Sequence, residues 1–402
     1  LADVDEKVRS IATSGFIDTV AVMLAGQSEH STKIVLNYVA RFGSQGDASV
    51  IGSGLKAAPA AAALANGTSA HAHDFDDTQL SSTPDRVYGL MSHPSAPVLG
   101  AVLPIAEMVR ASGEATLMAY LIGVETTCRV CDAIEPSHYL RGFHSTSTAG
   151  IFGAAAAASC LLGLDEEQTR CALGLAASMS SGIRGNFGEM AKPLHAGRAS
   201  EGGVVAALLA KDGFTAHRDA LDAPDGFFKT FGGENSVDDP AIAEDPLWGY
   251  RKAKSRGFDE ARFMDRLGTR WSFQDPGISI KPYPSVVLSH PSMTTLLEIL
   301  QDKKIAPASI EKINVYAGPT VLRLKYAVPA NGTEGKFSLL FCLALIATQR
   351  SAPLRDFSDA NVVRPDLVDM MGRISLLPDP EIAALGYSVI ASDIEVILKD
   401  GS

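Results

Sequence analysis

The sequence predicts a mainly α protein, a large all-helical domain followed by a smaller α+β domain. Three observations carry that prediction. The first two thirds of the 402 residues run through segment after segment of Ala, Leu, Val and Gly at helical spacing. The character changes after Trp271, where short apolar runs with strand alternation interleave with helical ones. Hydrophobic residues make up 46% and charged residues 20%, which suits a core several shells deep and excludes a disordered chain. At roughly 150 residues per domain the length fits two domains or one large one.

Helices are expected over residues 8–26, 58–75, 96–113, 116–134, 148–163, 166–182 and 199–213, several closed by a Gly suited to a left-handed C-cap. Their Ala-rich, nearly two-sided apolar character marks them as buried. Residues 219–268, rich in Asp, Pro, Gly and Phe, read as a linker with short elements, and the boundary is placed at 265, giving domains 1–265 and 266–402. In the second domain the expected order is strand-like alternation over 277–284, a helix over 290–303, a strand over 309–318, a helix over 334–350, and strands over 373–379 and 392–400. The chain begins at Leu1 rather than Met and stops just after the last strand, so trimmed ends and a missing C-terminal element are expected.

Charge and cysteine usage narrow the function classes. With 35 Lys+Arg against 46 Asp+Glu the net charge is -11, a field that repels phosphate backbones and anionic membranes. No nucleic acid or membrane partner is expected, and an acidic small molecule would need a local group of cations. Five cysteines, an odd number, fit reduced thiols in a cytoplasmic protein, and Cys128 and Cys131 read as core or surface thiols rather than a metal or redox pair. No run of 18 or more strongly apolar residues is seen, nor a basic-then-apolar leader. Phosphate-cradling glycine motifs and the G-x-S-x-G elbow are absent in their required contexts, and the sequons at Asn66 and Asn331 read as chance matches.

The nine histidines are placed unevenly, most beside Pro, Gly or capping residues where a scaffold presents reactive groups. In RGFHSTSTAG, His144 precedes a Ser/Thr run, beginning at Ser145, that can cap the next helix and leave free backbone N–H groups for a carboxylate; the plainer reading is a cap with a neighbouring imidazole. AKPLHAGRAS gathers Lys192, His195 and Arg198, read as a loop because of Pro193 and Gly197, and three such groups can bind an acidic substrate or simply face solvent. HAHDFDDT has the composition of a metal site but not the common zinc spacings, so a hydrogen-bonded acid cluster is expected, with Asp74 orienting an imidazole or binding a hydroxyl. SHPSAP sets His93 before Pro94, extended at a helix start, and SIKPYP places Lys281 on or beside a strand, pointing outward or into a site.

Taken together these runs resemble the MmgE/PrpD family. FIDTVAVMLAG, HAHDFDDT, SHPSAPVLGAVLPIAE, RGFHSTSTAGIFGAAAAAS, GNFGEMAKPLHAGRAS, SIKPYPSVVLSHPSM and EGKFSLLFCLALI occur in the family's order, ending with IEVILKDGS, and span nearly the whole chain. The resemblance implies a helical domain with a smaller α+β lid domain, a site in the cleft between them, and a homodimer through the helical domains. It implies no cofactor and no metal. Carried residue by residue, the family's site pattern falls on Asp74, Thr78, His93, His144, Lys192 and Lys281, and a lid tyrosine of the family's decarboxylases falls on Tyr326, with a shorter spacing to Pro329.

The expected function is proton abstraction next to a carboxylate of a small di- or tricarboxylate, foremost a 2-methylcitrate dehydratase-like lyase. His93 and His144 are expected to transfer protons, Lys192 and Lys281 to clamp carboxylates or donate, and Asp74 to orient. Thr78, Ser145, His195, Arg198 and Tyr326 are expected to bind substrate. The alternatives are an epimerase of the iminodisuccinate type, a decarboxylase of the cis-aconitate type and, from another class, a non-catalytic small-acid-binding dimer. The stretch from Gln79 to Ser92 is longer than in the compact decarboxylase pattern, which weakens the cis-aconitate reading.

Overall fold

The computed structural model describes residues 1–43, 45–79, 92–135, 137–232, 258–265, 267–322, 324–385 and 390–402. Among these, the fold divides into two units, one of residues 1–232 and 258–280 and one of residues 281–402. The division falls after Ile280 rather than at 265. The reason is packing: Phe273 is fully buried with Tyr120 and Val98, and Trp271 and Ile278 lie against the same core.

The first unit is helical. Its elements include α1 (Glu6–Gly26), α2 (His30–Phe42), a short antiparallel pair β1 (Ala48–Ser49) and β2 (Lys56–Ala57), α3 (Pro59–His71), α4 (Ser95–Val109), α5 (Gly113–Ile134), α6 (Ser137–Leu140), α7 (Ser145–Thr148), α8 (Gly150–Leu162), α9 (Glu166–Met179) and α10 (Ala191–Lys211). Sequence chemistry sets the ends. Asp5 and Ser112 cap α1 and α5 through their side-chain oxygens, Asp165 and Gln168 form a reciprocal capping box on α9, and Gly163 closes α8 in the left-handed conformation.

The core is the mutual packing of α3, α4, α5, α8 and α10. Small residues let these axes approach. A Cβ on Gly67 or Gly100 would run into the Ser200 hydroxyl, and one on Gly197 would run into the Thr68 hydroxyl and the Leu64 carbonyl. The Ser200 hydroxyl lies 2.8 Å from the Pro97 carbonyl and 3.0 Å from that of Ala196, so this buried hydroxyl is satisfied. At the α5–α8 crossing Gly153 faces Thr127 and the Gly123 carbonyl in the same way. An aromatic group that includes Phe152, Phe227, Phe228, Phe258 and Phe263 accounts for much of the Phe content read as linker; residues 233–257 of that segment lie outside the described residues.

Several expectations are corrected. α10 begins at Ala191, not at 199, because Pro193 occupies the first turn, where a helix needs no intrahelical donor. Lys192, His195 and Arg198 are therefore helical. α3 stops at His71, short of 75, and α2 is a helix beyond those expected. Residues 277–284 form no strand; Ser279 makes an isolated antiparallel bridge with Thr78. Two helical stretches, Glu6–Gly26 and Ser145–Leu162, have the length and apolar composition of a membrane span; 83% of the latter's apolar window is buried inside the unit, as a core helix requires. Cys128 and Cys131 lie buried on α5 as free thiols, and burial pushes both well above the usual range.

The second unit holds a three-stranded sheet of β3 (Ile310–Ala317), β4 (Ile374–Pro378) and β5 (Ser392–Leu398), in the order β4-β3-β5. β3 is parallel to β4 and antiparallel to β5. The helices His290–Asp302, Leu339–Gln349 and Pro365–Gly372 bury Met293, Leu296, Phe341, Leu345 and Leu367 in one core with Ile313 and Val315 of β3. A mainly α fold with a smaller α+β part is thus what the chain adopts.

The tight α3–α10 crossing yields a stability prediction. Gly197→Ala should destabilise the protein by about 2 kcal/mol or more, because the neighbours are backbone and a hydrogen-bonded hydroxyl that cannot give way. A thermal melt within one degree of the parent would contradict the crossing.

Candidate active site

The site candidates of the first unit meet where three segment ends converge: the residues following α3, the start of α4, and the first turn of α10. The chain leaving α3 turns sharply at Asp74, which adopts a left-handed backbone at φ 53°. Such a conformation is uncommon for a residue with a side chain, although Asp is among those that tolerate it. It places the Asp74 carboxylate, 5% exposed, against the Lys192 ammonium, also 5% exposed, and Lys192 donates to Asp74 Oδ1.

His93, just before α4, sits between two carboxylates. Its Nε2 is 3.5 Å from Asp74 Oδ1 and its Nδ1 is 3.3 Å from Asp76 Oδ2. The Thr146 hydroxyl accepts its backbone N–H at 3.0 Å, tying the start of α4 to α7. His71, the last residue of α3, donates from Nδ1 to Asp76 at 2.9 Å; a carboxylate only accepts, so the Nδ1 atom carries the proton. The His71 ring stands 4.5 Å from that of His93 and stacks at 5.7 Å on that of His144.

His144 is fully buried just before α7, and its Nδ1 lies 2.9 Å from Nδ1 of His195. Phe187 packs edge-on against the His144 ring at 4.8 Å, and the Lys192 ammonium lies 5.3 Å from the centre of the same phenyl. The segment carrying His144 is held by a backbone bond from its N–H to the Gly182 carbonyl at 3.1 Å and by a Phe143–Ile183 bridge.

Electrostatics follow from burial and these partners. Burial pushes His71 down to about 3 despite the Asp76 carboxylate, so the imidazole is neutral. His144 is held well below the usual range, first by burial and then by the Lys192 charge, and His195 is lowered by the same two causes. Burial alone would raise Asp76, but the His71 and His93 imidazoles outweigh it and hold the carboxyl well below the usual range. Asp77 goes the other way: burial pushes it up to about 7, against hydrogen bonds from Ser95, with Asp76 and Asp18 adding to the rise. Ser95 donates its hydroxyl to Asp77 Oδ2 at 2.6 Å, and that hydroxyl lies 2.6 Å from the Tyr120 hydroxyl.

The structure therefore gathers Asp74, His93, His144, Lys192 and His195. Thr78, four residues after Asp74, is fully buried, its backbone bridged to Ser279 and its hydroxyl without a hydrogen-bond partner among the described residues. Ser145 does not offer a free hydroxyl, since it donates to Glu135. Arg198 is a correction: its guanidinium is 61% exposed and paired with Glu201, because on a helix it lies about 120° round from Lys192. Lys281 and Tyr326 belong to the second unit. Lys281 is buried and donates to the Ser285 carbonyl at 3.2 Å, and Tyr326 is half-buried with the Lys325 ammonium 5.2 Å from its ring centre.

Two participants, His71 and Asp76, escape the sequence reading. Both stand in the HAHDFDDT run, but only the turn after α3 brings the last residue of the helix back to a carboxylate five positions on. One ligand atom from each of His71, Asp74, Asp76 and His93 lies within 4.8 Å of the others, a donor set of the kind a divalent cation uses. In the arrangement described, Lys192 already neutralises Asp74 and Asp76 accepts from His71, so the cluster carries its own counter-charge.

Buried neutral imidazoles around a lysine–aspartate pair are the parts of a proton-transfer site in a helical scaffold. The chain belongs to the MmgE/PrpD family: the family's N-terminal domain matches residues 1–239 and its C-terminal domain residues 283–402. It is similar to the human cis-aconitate decarboxylase, 26% identical over 392 residues that cover 96% of this chain and 75% of the relative. It is also similar to the cis-aconitate decarboxylase of Aspergillus terreus, 25% identical over 419 residues covering 100% and 80% of the two chains. A cis-aconitate decarboxylase-like protein of Aspergillus oryzae is 31% identical over 242 residues, 57% of this chain and 48% of that one.

The Asp77 cluster generates a pH prediction. A carboxyl raised from 3.8 to about 7 binds its proton more tightly folded than unfolded, so the stability it contributes is full at low pH and is lost as pH rises through that window. Asp77→Asn is uncharged throughout. Between pH 7.5 and pH 5 the parent should gain on Asp77→Asn by about 1 kcal/mol or more in urea unfolding. Parallel curves for the two proteins would show that Asp77 titrates normally.

Proposed function

We propose that this protein is a lyase that works without a cofactor on a small tricarboxylate, removing carbon dioxide from a substrate of the cis-aconitate type. The observation that carries the reading is the buried Lys192 ammonium held on Asp74 beside His93, with the neutral imidazole of His144 close by. The names of the similar proteins support decarboxylation over the dehydration expected from sequence.

The chemistry has two requirements. When the carbon–carboxylate bond breaks, carbon dioxide leaves and the electron pair stays on carbon, where a cation and an adjacent carboxylate-conjugated double bond must stabilise it. A proton then closes the reaction at carbon, so each turnover takes up one proton. Lys192 is suited to stabilising the electron pair, because Asp74 fixes the ammonium and a substrate carboxylate can share it. The imidazoles His93 and His144 are suited to relaying the proton that each turnover takes up, accepting it at nitrogen and passing it to carbon. The low-dielectric surroundings strengthen every charge interaction involved.

Dehydration of a 2-methylcitrate-type substrate stands second, since the 79–92 segment, most of which lies outside the described residues, is longer than in the decarboxylase pattern. Proton NMR in deuterium oxide on cis-aconitate, 2-methylcitrate, citrate and iminodisuccinate, with purified and metal-stripped protein, separates the readings. The expected result is carbon dioxide loss from cis-aconitate with one deuterium entering the product. A new alkene from 2-methylcitrate without carbon dioxide would replace decarboxylation by dehydration, stereochemical exchange would indicate epimerisation, and binding with no chemical change would leave a non-catalytic acid binder. On the substrate that turns over, Lys192→Ala and His144→Ala should each lower kcat/KM by about 100-fold or more. Full activity in either would remove that residue from the mechanism.

A further inference from the structure

Two imidazoles facing each other through the same kind of nitrogen cannot both donate. His144 Nδ1 and His195 Nδ1 are 2.9 Å apart, so one carries a proton and the other presents its lone pair. The other nitrogen of His144 decides which. Nε2 of His144 is buried and has no hydrogen-bond partner among the described residues. A buried N–H without an acceptor is rarer and costlier than a bare acceptor nitrogen. The His144 proton therefore belongs on Nδ1, donated to His195, and Nε2 is left as a bare lone pair.

We infer that His195 is a positioning residue, not a substrate-binding one: by accepting the Nδ1 proton of His144 it fixes the tautomer in which His144 Nε2 is free to take up and return a proton. The surroundings are arranged for that contact. The His195 carbonyl accepts from the Ser147 hydroxyl at 3.0 Å, which ties it to the one-turn helix after His144. Gly182, whose carbonyl accepts the His144 N–H, has φ 130° and passes close to both partners: a Cβ there would lie 2.8 Å from Cβ of Ser147 and 3.6 Å from Cγ of His195. His195 is kept neutral by partial burial and the Lys192 charge, as an acceptor must be. His71 repeats the arrangement, donating its Nδ1–H to Asp76, with its Nε2 buried and without a partner among the described residues. When His144 Nε2 gains a proton, the Nδ1–H bond to His195 becomes charge-assisted and steadies the imidazolium; when Nε2 gives that proton up, the starting tautomer returns.

The test uses two substitutions of opposite meaning. In Asn, Oδ1 hangs on Cγ where Nδ1 does in His, so His195→Asn keeps an acceptor at that place, whereas His195→Leu keeps bulk and removes it. With histidine labelled with nitrogen-15, the parent and His195→Asn should show His144 protonated at Nδ1, and His195→Leu should show the proton moved to Nε2. The role rests on the proton-transfer reading of the site, and on whichever substrate of the panel turns over, kcat should fall about 10-fold to 100-fold in His195→Leu with KM little changed, and recover to within about threefold of the parent in His195→Asn. Equal losses in both variants, a change in KM alone, or an Nε2–H tautomer in the parent would overturn the inference. If the parent turns over nothing in the panel, the functional reading fails, while the tautomer spectra still decide the hydrogen bond.

Discussion

A lysine and an aspartate, each almost wholly removed from water, hold the site together. Taking two charges out of water costs several kcal/mol per ion, and their attraction offsets it only when geometry and further hydrogen bonds are good. That requirement constrains three elements at once. The end of α3 has to turn through the left-handed backbone at Asp74, the first turn of α10 has to begin early enough to include Lys192, and the start of α4 has to bring His93 alongside. The close α3–α10 and α3–α4 crossings, made of glycines around Ser200, fix those ends relative to one another.

Around the pair, burial does most of the electrostatic work. It keeps the His71 and His144 imidazoles neutral, so at rest they add no positive charge beside Lys192. It also separates two adjacent carboxylates: Asp76, next to His71 and His93, stays ionised, while Asp77, turned to Ser95 and the Tyr120 hydroxyl, is pushed toward neutrality. Neighbouring aspartates shifted in opposite directions are a direct consequence of the different groups their side chains meet.

Most of the helical order is legible in the sequence because Ala-rich 3.6-residue spacing, caps and closing glycines agree with one another from Glu6 to Leu162. The exceptions have physical causes. Pro193 signals a break in a loop-biased reading but is at home in a first helical turn; Lys192, His195 and Arg198 look like one basic loop in sequence, yet on the helix they fan out and only the first two reach the cluster. His71 and Asp76 are neighbours in one run, but their pairing depends on a turn that local pattern does not specify. Asp74, His93, His144 and Lys192 are legible through the family resemblance more than through spacing, since each stands at a different segment end. The alternation at 277–284 misleads because Pro and Gly there support an irregular path and a single bridge.

Asp74 and Lys192 form a buried ion pair, and a double-mutant cycle on stability measures their coupling directly. Asp74→Asn and Lys192→Met alone should each cost about 3 kcal/mol or more, because each removes one charge of a buried pair, while the double variant should cost less than their sum by about 2 kcal/mol or more. Costs that add to within about 0.5 kcal/mol would show that the two side chains stand independently and would contradict the paired arrangement.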